Sequence, residues 1–200
     1  MLPTGSDTPR LRYLQSVLDA ADAGFAVSEW PKLTTEDSLA IGRLIMLYNF
    51  IELNLRRMVE AWEDAGLLRV PTKGRARDFH IGEVEAAAQT MVPWPVEQLS
   101  AFKLLAEIRL LRNLVAHFAA RRFPSDDGFL FIAKSERDYR RQFGGESAPN
   151  EWLTVVMDGQ VLNEALERVE GAQLWLANQT SLTVRQAHEI KTGSIIPKGE

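Results

Sequence analysis

The sequence predicts a mainly α-helical bundle with a small two-stranded β addition. Apolar residues recur at three- and four-residue steps over long stretches, most clearly from Phe102 to Phe123, and this is the period of a helix with one buried face. Proline and glycine residues separate these stretches and mark the turns between helices. Two short apolar segments follow Phe123 and are typical of strands.

The helices before this central stretch begin and end at local signals. The first covers about residues 9–25. The second opens at Thr34, which forms a weak capping box with Asp37, and it ends at Gly66, a good C-terminal signal. A short helix over 78–90 is expected before the central helix, which we expect to continue to Phe123.

The predicted strands are GFLFIA from Gly128 and WLTVVM from Trp152. Both are short and rich in aromatic or β-branched residues and are bounded by turn residues. We expect them to pair antiparallel as a β insertion over about 128–157, placed after the central helix so that it forms a wall of any cleft there.

The last firm helix is expected to run from Val161 to about Asn178. The polar residues 181–200, which include Gly193 and Pro197, predict a partly ordered C-terminal tail. The length of 200 residues suits a single domain over residues 1–180.

One polar stripe interrupts the apolar surface of the central helix. At about 100° per residue, Asn113 and His117 lie one turn apart on the same side, with Arg112 beside them. Burying an unpaired guanidinium is costly, so these groups are expected to face a partner, a cleft or water. The alternative is a structural polar seam in which the same side chains bond to a neighbouring helix. The stripe comprises Arg109, Arg112, Asn113, Ala116, His117 and Ala120.

The segment RNLVAH at 112–117, preceded by IRLL, resembles the signature of the HEPN superfamily (higher eukaryotes and prokaryotes nucleotide-binding domains). That signature is an Arg, four to six residues and a His, with a polar residue directly after the Arg, on a late helix of a helical bundle. Arg112, Asn113 and His117 match it position by position. The resemblance implies a HEPN-like helical bundle, a family that contains metal-independent ribonucleases and also non-catalytic members.

The resemblance further implies an endoribonuclease of toxin or phage-defence type that needs no metal or cofactor. It would cut RNA to 2′,3′-cyclic phosphate and 5′-hydroxyl ends at a composite site of a homodimer. His117 would transfer protons, Arg112 would clamp the phosphate and Asn113 would position either group. Arg109 and Glu52 are supporting candidates, since a buried Glu52 would be a natural partner for either arginine.

Two alternatives remain open at this stage. A HEPN-like dimer can keep the same residues to bind nucleotide or RNA, or to act as a scaffold, without turnover. Glu52 can instead be an exposed residue that pairs with Arg56 one turn along its helix. If the protein is a toxin, an antitoxin or another partner protein is a further possible binding partner. However, toxin members that are modified on a Tyr two residues after the His differ from this chain, which has Ala119 there.

Composition narrows the function classes. There is no cysteine, which excludes disulfides, thiol nucleophiles and Cys-ligated zinc. The three histidines show no metal-ligand spacing, and no phosphate-binding glycine motif is present. The N-terminus lacks the apolar core of a signal peptide and no run is long enough to span a membrane, so we expect a cytoplasmic protein without membrane contact.

The charge balance argues against general binding to nucleic acid. The net charge is −4 and the pI is about 5.5, whereas proteins that coat RNA or DNA are usually basic. The central helix is nevertheless locally basic. A local basic cleft can bind a phosphate chain without non-specific binding of nucleic acid by the rest of the surface. The basic residues in question are Lys103, Arg109, Arg112, Arg121 and Arg122.

Overall fold

The computed structural model describes residues 8–21, 29–68, 86, 88, 91, 96–124, 126–132 and 154–193. The predicted mainly helical class is confirmed, whereas the HEPN-specific arrangement of the helices stays a prediction. The helices are α1 (Pro9–Ala21), α2 (Thr35–Asp64), α3 (Val96–His117) and α4 (Gly159–Lys191). The strands are β1 (Ala119–Arg122), β2 (Gly128–Ile132) and β3 (Thr154–Asp158). Ala86, Ala88 and Met91 are also helical, and the rest of the predicted 78–90 helix lies outside the described residues.

The chain divides into two compact units. The first unit comprises Met1–Met46 and Glu107–Arg168, and the second comprises Leu47–Ala106 and Val169–Glu200. The candidate residues of α3 belong to the first unit. The prediction of a single domain over residues 1–180 stays a prediction.

The signals predicted for α2 are confirmed at both ends. At its start, Asp37 N–H donates to Thr34 Oγ1 at 3.1 Å and Thr34 N–H donates to Asp37 Oδ2 at 2.7 Å, which is the reciprocal pair of a capping box. At its end, Gly66 has φ +72°, and the N–H of Leu67 donates to the carbonyl of Trp62 at 2.9 Å. This 6→1 bond with a left-handed glycine is a Schellman cap.

The sheet has three strands, so the predicted two-stranded insertion is corrected. Strands pair antiparallel in the order β1-β2-β3, and β1 consists of the residues AARR that we expected to extend the central helix. Alanine and arginine favour helices, but the pairing of Ala120 with Phe131 and of Arg122 with Phe129 overrides that local preference. Helix α3 therefore ends at His117, about one and a half turns before the predicted end.

The core of the first unit includes a cluster between α1 and the sheet. Leu14, Trp30, Phe123 and Leu130 are all at most 2% exposed. The rings of Trp30 and Phe123 pack edge to face with centroids 4.9 Å apart. Gly128 packs closely against this cluster, because a Cβ at this position would lie 2.9 Å from a methyl group of Leu14 and would displace that side chain. This packing fixes the sheet that begins directly after α3.

The second unit has its own apolar core. The rings of Phe102 and Trp175 pack edge to face at 6.0 Å. The hydroxyl of Thr180 is buried and donates to the carbonyl oxygens of Leu176 at 2.8 Å and Asn54 at 3.4 Å. These contacts hold the middle of α4 against α2 within this unit.

Helix α4 is longer than predicted. It ends at Lys191 and is followed by Gly193, which has φ +72°. Residues 181–191 are therefore helical instead of part of a tail. Buried Thr183 and Ala187 continue its apolar period, and this tertiary burial outweighs the weak helix preference of the serine and threonines in this stretch. Residues 194–200 of the predicted tail lie outside the described residues.

Candidate functional site

Helix α3 presents the RNLVAH residues on its less buried side. Five apolar residues of the same stretch are at most 8% exposed, whereas Arg109, Arg112 and Asn113 are half-buried and Ala116 and His117 are exposed. This is the asymmetry that the apolar period predicted, and it places the polar groups at a boundary between core and solvent. The buried residues are Ile108, Leu111, Leu114, Val115 and Phe118.

Arg112 and Asn113 are joined directly. Arg112 Nη1 donates to Asn113 Oδ1 at 3.0 Å. Consecutive residues on a helix point about 100° apart, so this bond fixes the direction of the guanidinium across the helix surface. The expected role of Asn113, which is to position the guanidinium or the imidazole, stays a prediction.

His117 is the last residue of α3 and its side chain is exposed. The next residue, Phe118, is buried, and its N–H still donates to the carbonyl of Leu114 at 3.0 Å. Strand β1 then begins at Ala119. Within the described ranges, the His117 ring has no hydrogen-bond or ion-pair partner. An imidazole in this state is accessible to a ligand. In the alternative of a structural polar seam, His117 would instead bond to a neighbouring helix.

The supporting candidates occupy half-buried positions on two helices. Arg109 lies on α3 one turn before Asn113, and Glu52 lies on α2 in the second unit. Both form polar interactions, so neither is an idle surface charge. The pairing of Glu52 with Arg109 or Arg112 stays a prediction.

Ala120 does not belong to the helical stripe. It lies on β1 opposite Phe131, so the prediction that it shares the polar stripe of the central helix with Ala116 is wrong. The cause is the earlier end of α3. Arg121 and Arg122 leave the helix with it, and the basic cluster predicted for the central helix is divided between a helix and a strand.

Sequence reasoning missed a carboxylate network around Arg122. Arg122 Nη1 donates to both oxygens of Asp37 at 2.9 and 3.0 Å, and its Nη2 donates to Asp127 Oδ1 at 2.9 Å. The guanidinium also lies 5.7 Å from the centroid of the Phe129 ring. Burial raises the pKa of Asp37, but the hydrogen bonds from Thr34 and Arg122 outweigh it and hold that pKa below its usual value.

A second network lies close by on the same turn. Arg10 Nη1 donates to Asp126 Oδ2 at 3.1 Å, Arg10 Nη2 binds the other oxygen of that carboxylate, and Arg10 Nε lies 3.9 Å from Asp158. The hydrogen bonds from Arg10 lower the pKa of Asp126. The sequence signal at this place is the turn-forming run Asp126-Asp127-Gly128, which indicates a loop but not its partners. Both networks are satisfied ion pairs, which is the ordinary state of structural charges.

The second unit contains an open cleft of about 280 Å³ between α2 and α4. Its walls carry both signs of charge, and the Lys191 ammonium lies 3.6 Å from the Asp64 carboxylate. These charges compensate one another, so the cleft has no net preference for an anionic or a cationic ligand. It contains none of the RNLVAH residues.

Within the described ranges, no group of three or more His, Cys, Asp or Glu side chains is arranged to hold a metal ion. Among those same residues, no helix is both long enough and apolar enough to cross a bilayer. The described site consists of a guanidinium that donates to an amide and an exposed imidazole at the end of the same helix. Comparisons with protein-family models, with curated proteins and with solved structures found no match to this chain.

Proposed function

We propose that this protein is a metal-independent endoribonuclease of toxin or defence type whose active residues are Arg112, Asn113 and His117. The observation that carries the proposal is the state of these side chains on α3. Asn113 holds the Arg112 guanidinium in one direction, while His117 is exposed at the end of the helix. A purely structural seam would have no need of an accessible imidazole.

The chemistry follows from these groups. RNA cleavage without metal requires a base on the ribose 2′-hydroxyl, an acid for the departing 5′-oxygen and positive charge on the pentacoordinate phosphorus. Histidine suits the proton transfers because its unperturbed pKa lies near neutrality. Arginine suits the phosphate oxygens because its planar fork offers two parallel charged donors. The products are a 2′,3′-cyclic phosphate and a 5′-hydroxyl.

A single His117 cannot serve as base and acid at the same instant. A homodimer resolves this problem when two copies bring their RNLVAH segments to one groove, so that one imidazole accepts a proton while the other donates. The exposed Ala116 beside His117 offers little steric resistance to a second copy. RNA is then the substrate, and an antitoxin is the kind of partner expected to cover the groove.

The second candidate is a non-catalytic dimer that binds nucleotide or RNA, or that acts as a scaffold. The scaffold form of this candidate is favoured by the acidic character of the chain, with a net charge of −4, because repulsion slows the association with RNA that a nuclease needs and a scaffold does not. It needs the same exposed surface, but it does not need a histidine at position 117. The two candidates therefore differ in whether the His117 side chain is needed.

The test is RNA cleavage by purified protein in EDTA, with product ends analysed for cyclic phosphate. We expect His117→Ala to reduce cleavage by at least about 10²-fold, the usual contribution of a general acid or base. The matched control is His188→Ala, an exposed histidine in the second unit, which should cleave like the wild type. Binding of RNA without cleavage by the wild type would favour the second candidate, and equal cleavage by both variants would overturn the assigned role of His117.

A further inference from the structure

Helix α2 carries an exposed apolar stripe. Four large apolar side chains on this one helix are about half exposed or more, and three of them are spaced by seven residues. At about 100° per residue, all four lie within about 60° of one another around the helix. Exposed apolar groups on one side of a helix mark an interaction surface, and a seven-residue spacing is typical of helix pairing. They are Leu39 (68%), Met46 (54%), Phe50 (47%) and Leu53 (50%). Exposed Arg43 lies at the edge of this stripe, between Leu39 and Met46.

A glycine in the same stripe borders open space. Gly42 is exposed in the middle of α2, and a Cβ added there would meet nothing within 4 Å. Glycine is the least favourable non-proline residue in a helix interior, so its presence calls for a cause outside this helix. Close approach of another backbone is such a cause.

The charges that flank the stripe decide the direction of pairing. Glu36 precedes it and Arg57 follows it, both exposed, and neither forms an ion pair with any described residue. A parallel pair of α2 helices would place each of these charges beside its own copy. An antiparallel pair places Glu36 beside Arg57 of the second copy, so only this direction is electrostatically complementary.

We propose that a second copy of this chain docks on the stripe, with the two α2 helices antiparallel about a two-fold axis at Met46. Leu39 lies seven residues before Met46 and Leu53 seven residues after it, so each is level with the other in the second copy. Gly42 is level with Phe50 of the second copy and leaves space for its ring. The surface is thus complementary to itself, as a two-fold interface requires.

The absence of cysteine makes a direct test possible. Met46→Cys introduces the only thiol of the chain at the two-fold axis, where two copies can form a disulfide. We expect this variant to become a covalent dimer under mild oxidation at least tenfold faster than Gln186→Cys, an exposed control position on α4. Sedimentation of the wild type should give twice the chain mass of 22.5 kDa. A monomeric wild type, or equal oxidation of the two variants, would overturn the proposal.

A charge exchange tests the antiparallel direction. Arg57→Glu and Glu36→Arg should each raise the dissociation constant of the dimer about tenfold, and the double variant should restore it, because each contact then regains opposite charges. Failure of the double variant to restore pairing would exclude the antiparallel arrangement. Both experiments measure mass alone, so a dimer that does not cut RNA would refute the proposed function and leave this interface standing.

Discussion

Arg112 and Arg122 lie ten residues apart, yet the structure holds them in different ways. Arg122 is enclosed by two carboxylates and the face of a phenyl ring. Arg112 is directed by a neutral amide and stands on the helix that ends in an exposed histidine. We call Arg122 the anchor, because carboxylates bind its guanidinium, and Arg112 the directed donor, because the Asn113 amide accepts a hydrogen bond from its guanidinium.

The largest effect is expected at the directed donor. Arg112→Lys keeps the charge but loses the planar fork, so we expect RNA cleavage per folded molecule to fall about 10²-fold. Initial rates with a short RNA measure cleavage, and urea denaturation gives the fraction of each variant that is folded. The control is Arg185→Lys, an exposed position on α4. Equal cleavage by the two variants would mean that the Arg112 fork does not contact the reacting phosphate.

The converse result is expected at the anchor. Arg122→Gln leaves the buried Asp37 carboxylate without its cation, so the free energy of unfolding should fall by about 2 kcal/mol. Cleavage per folded molecule should be retained, since Arg122 is occupied by Asp37 and Asp127. Urea denaturation with active-site titration separates the two quantities. Loss of cleavage with unchanged stability would show that the two arginines have been assigned the wrong way round.

Acid should act on the anchors first. The pKa values of Asp37 and Asp126 are held below the usual value, so in the acid range the unfolded chain binds more protons than the folded one. Their stabilisation is complete above the unfolded pKa of about 4 and is lost as the pH falls through the lower folded values. Denaturation curves between pH 2 and 7 should show this loss, and it should be shallower in Asp126→Asn. An identical pH dependence in that variant would contradict the assigned ion pair.

The smallest effect concerns Asn113. Asn113→Ala removes the amide that directs Arg112, so we expect cleavage to fall about tenfold, close to the lower value for a hydrogen bond that involves one charged group. A positioning role predicts that the Michaelis constant and the turnover number change while the pH profile set by His117 does not. A shifted pH profile in this variant would instead indicate that Asn113 acts on the imidazole.

Local signals were predicted well from the sequence. The Thr34–Asp37 box and the Gly66 cap depend on residues three to five positions apart, so their hydrogen bonds follow from short-range geometry. The polar side of α3 was also predictable, because it depends only on the helical period. For the same reason the residues of the candidate site could be named from the sequence, but their hydrogen-bond partners could not.

The features that could not be predicted all depend on residues that are far apart along the chain. Ala119–Arg122 has helix-forming composition, and only its pairing with Phe129–Ile132 across a turn makes it a strand. The link between Arg122 and Asp37 joins residues that are 85 positions apart, and no local pattern predicts it. The extension of α4 beyond residue 181 likewise depends on the burial of Thr183 and Ala187.

Asp37 has two tasks, since one carboxylate accepts from its own helix N-terminus and from the guanidinium of β1. Fraying of the first turn of α2 therefore removes one of the two carboxylate partners of Arg122, and separation of β1 removes a partner of the capping carboxylate. The backbone amides of both segments are then expected to open together, with one common free energy. A substitution that destabilises the start of α2 is therefore expected to destabilise β1 as well, and the reverse.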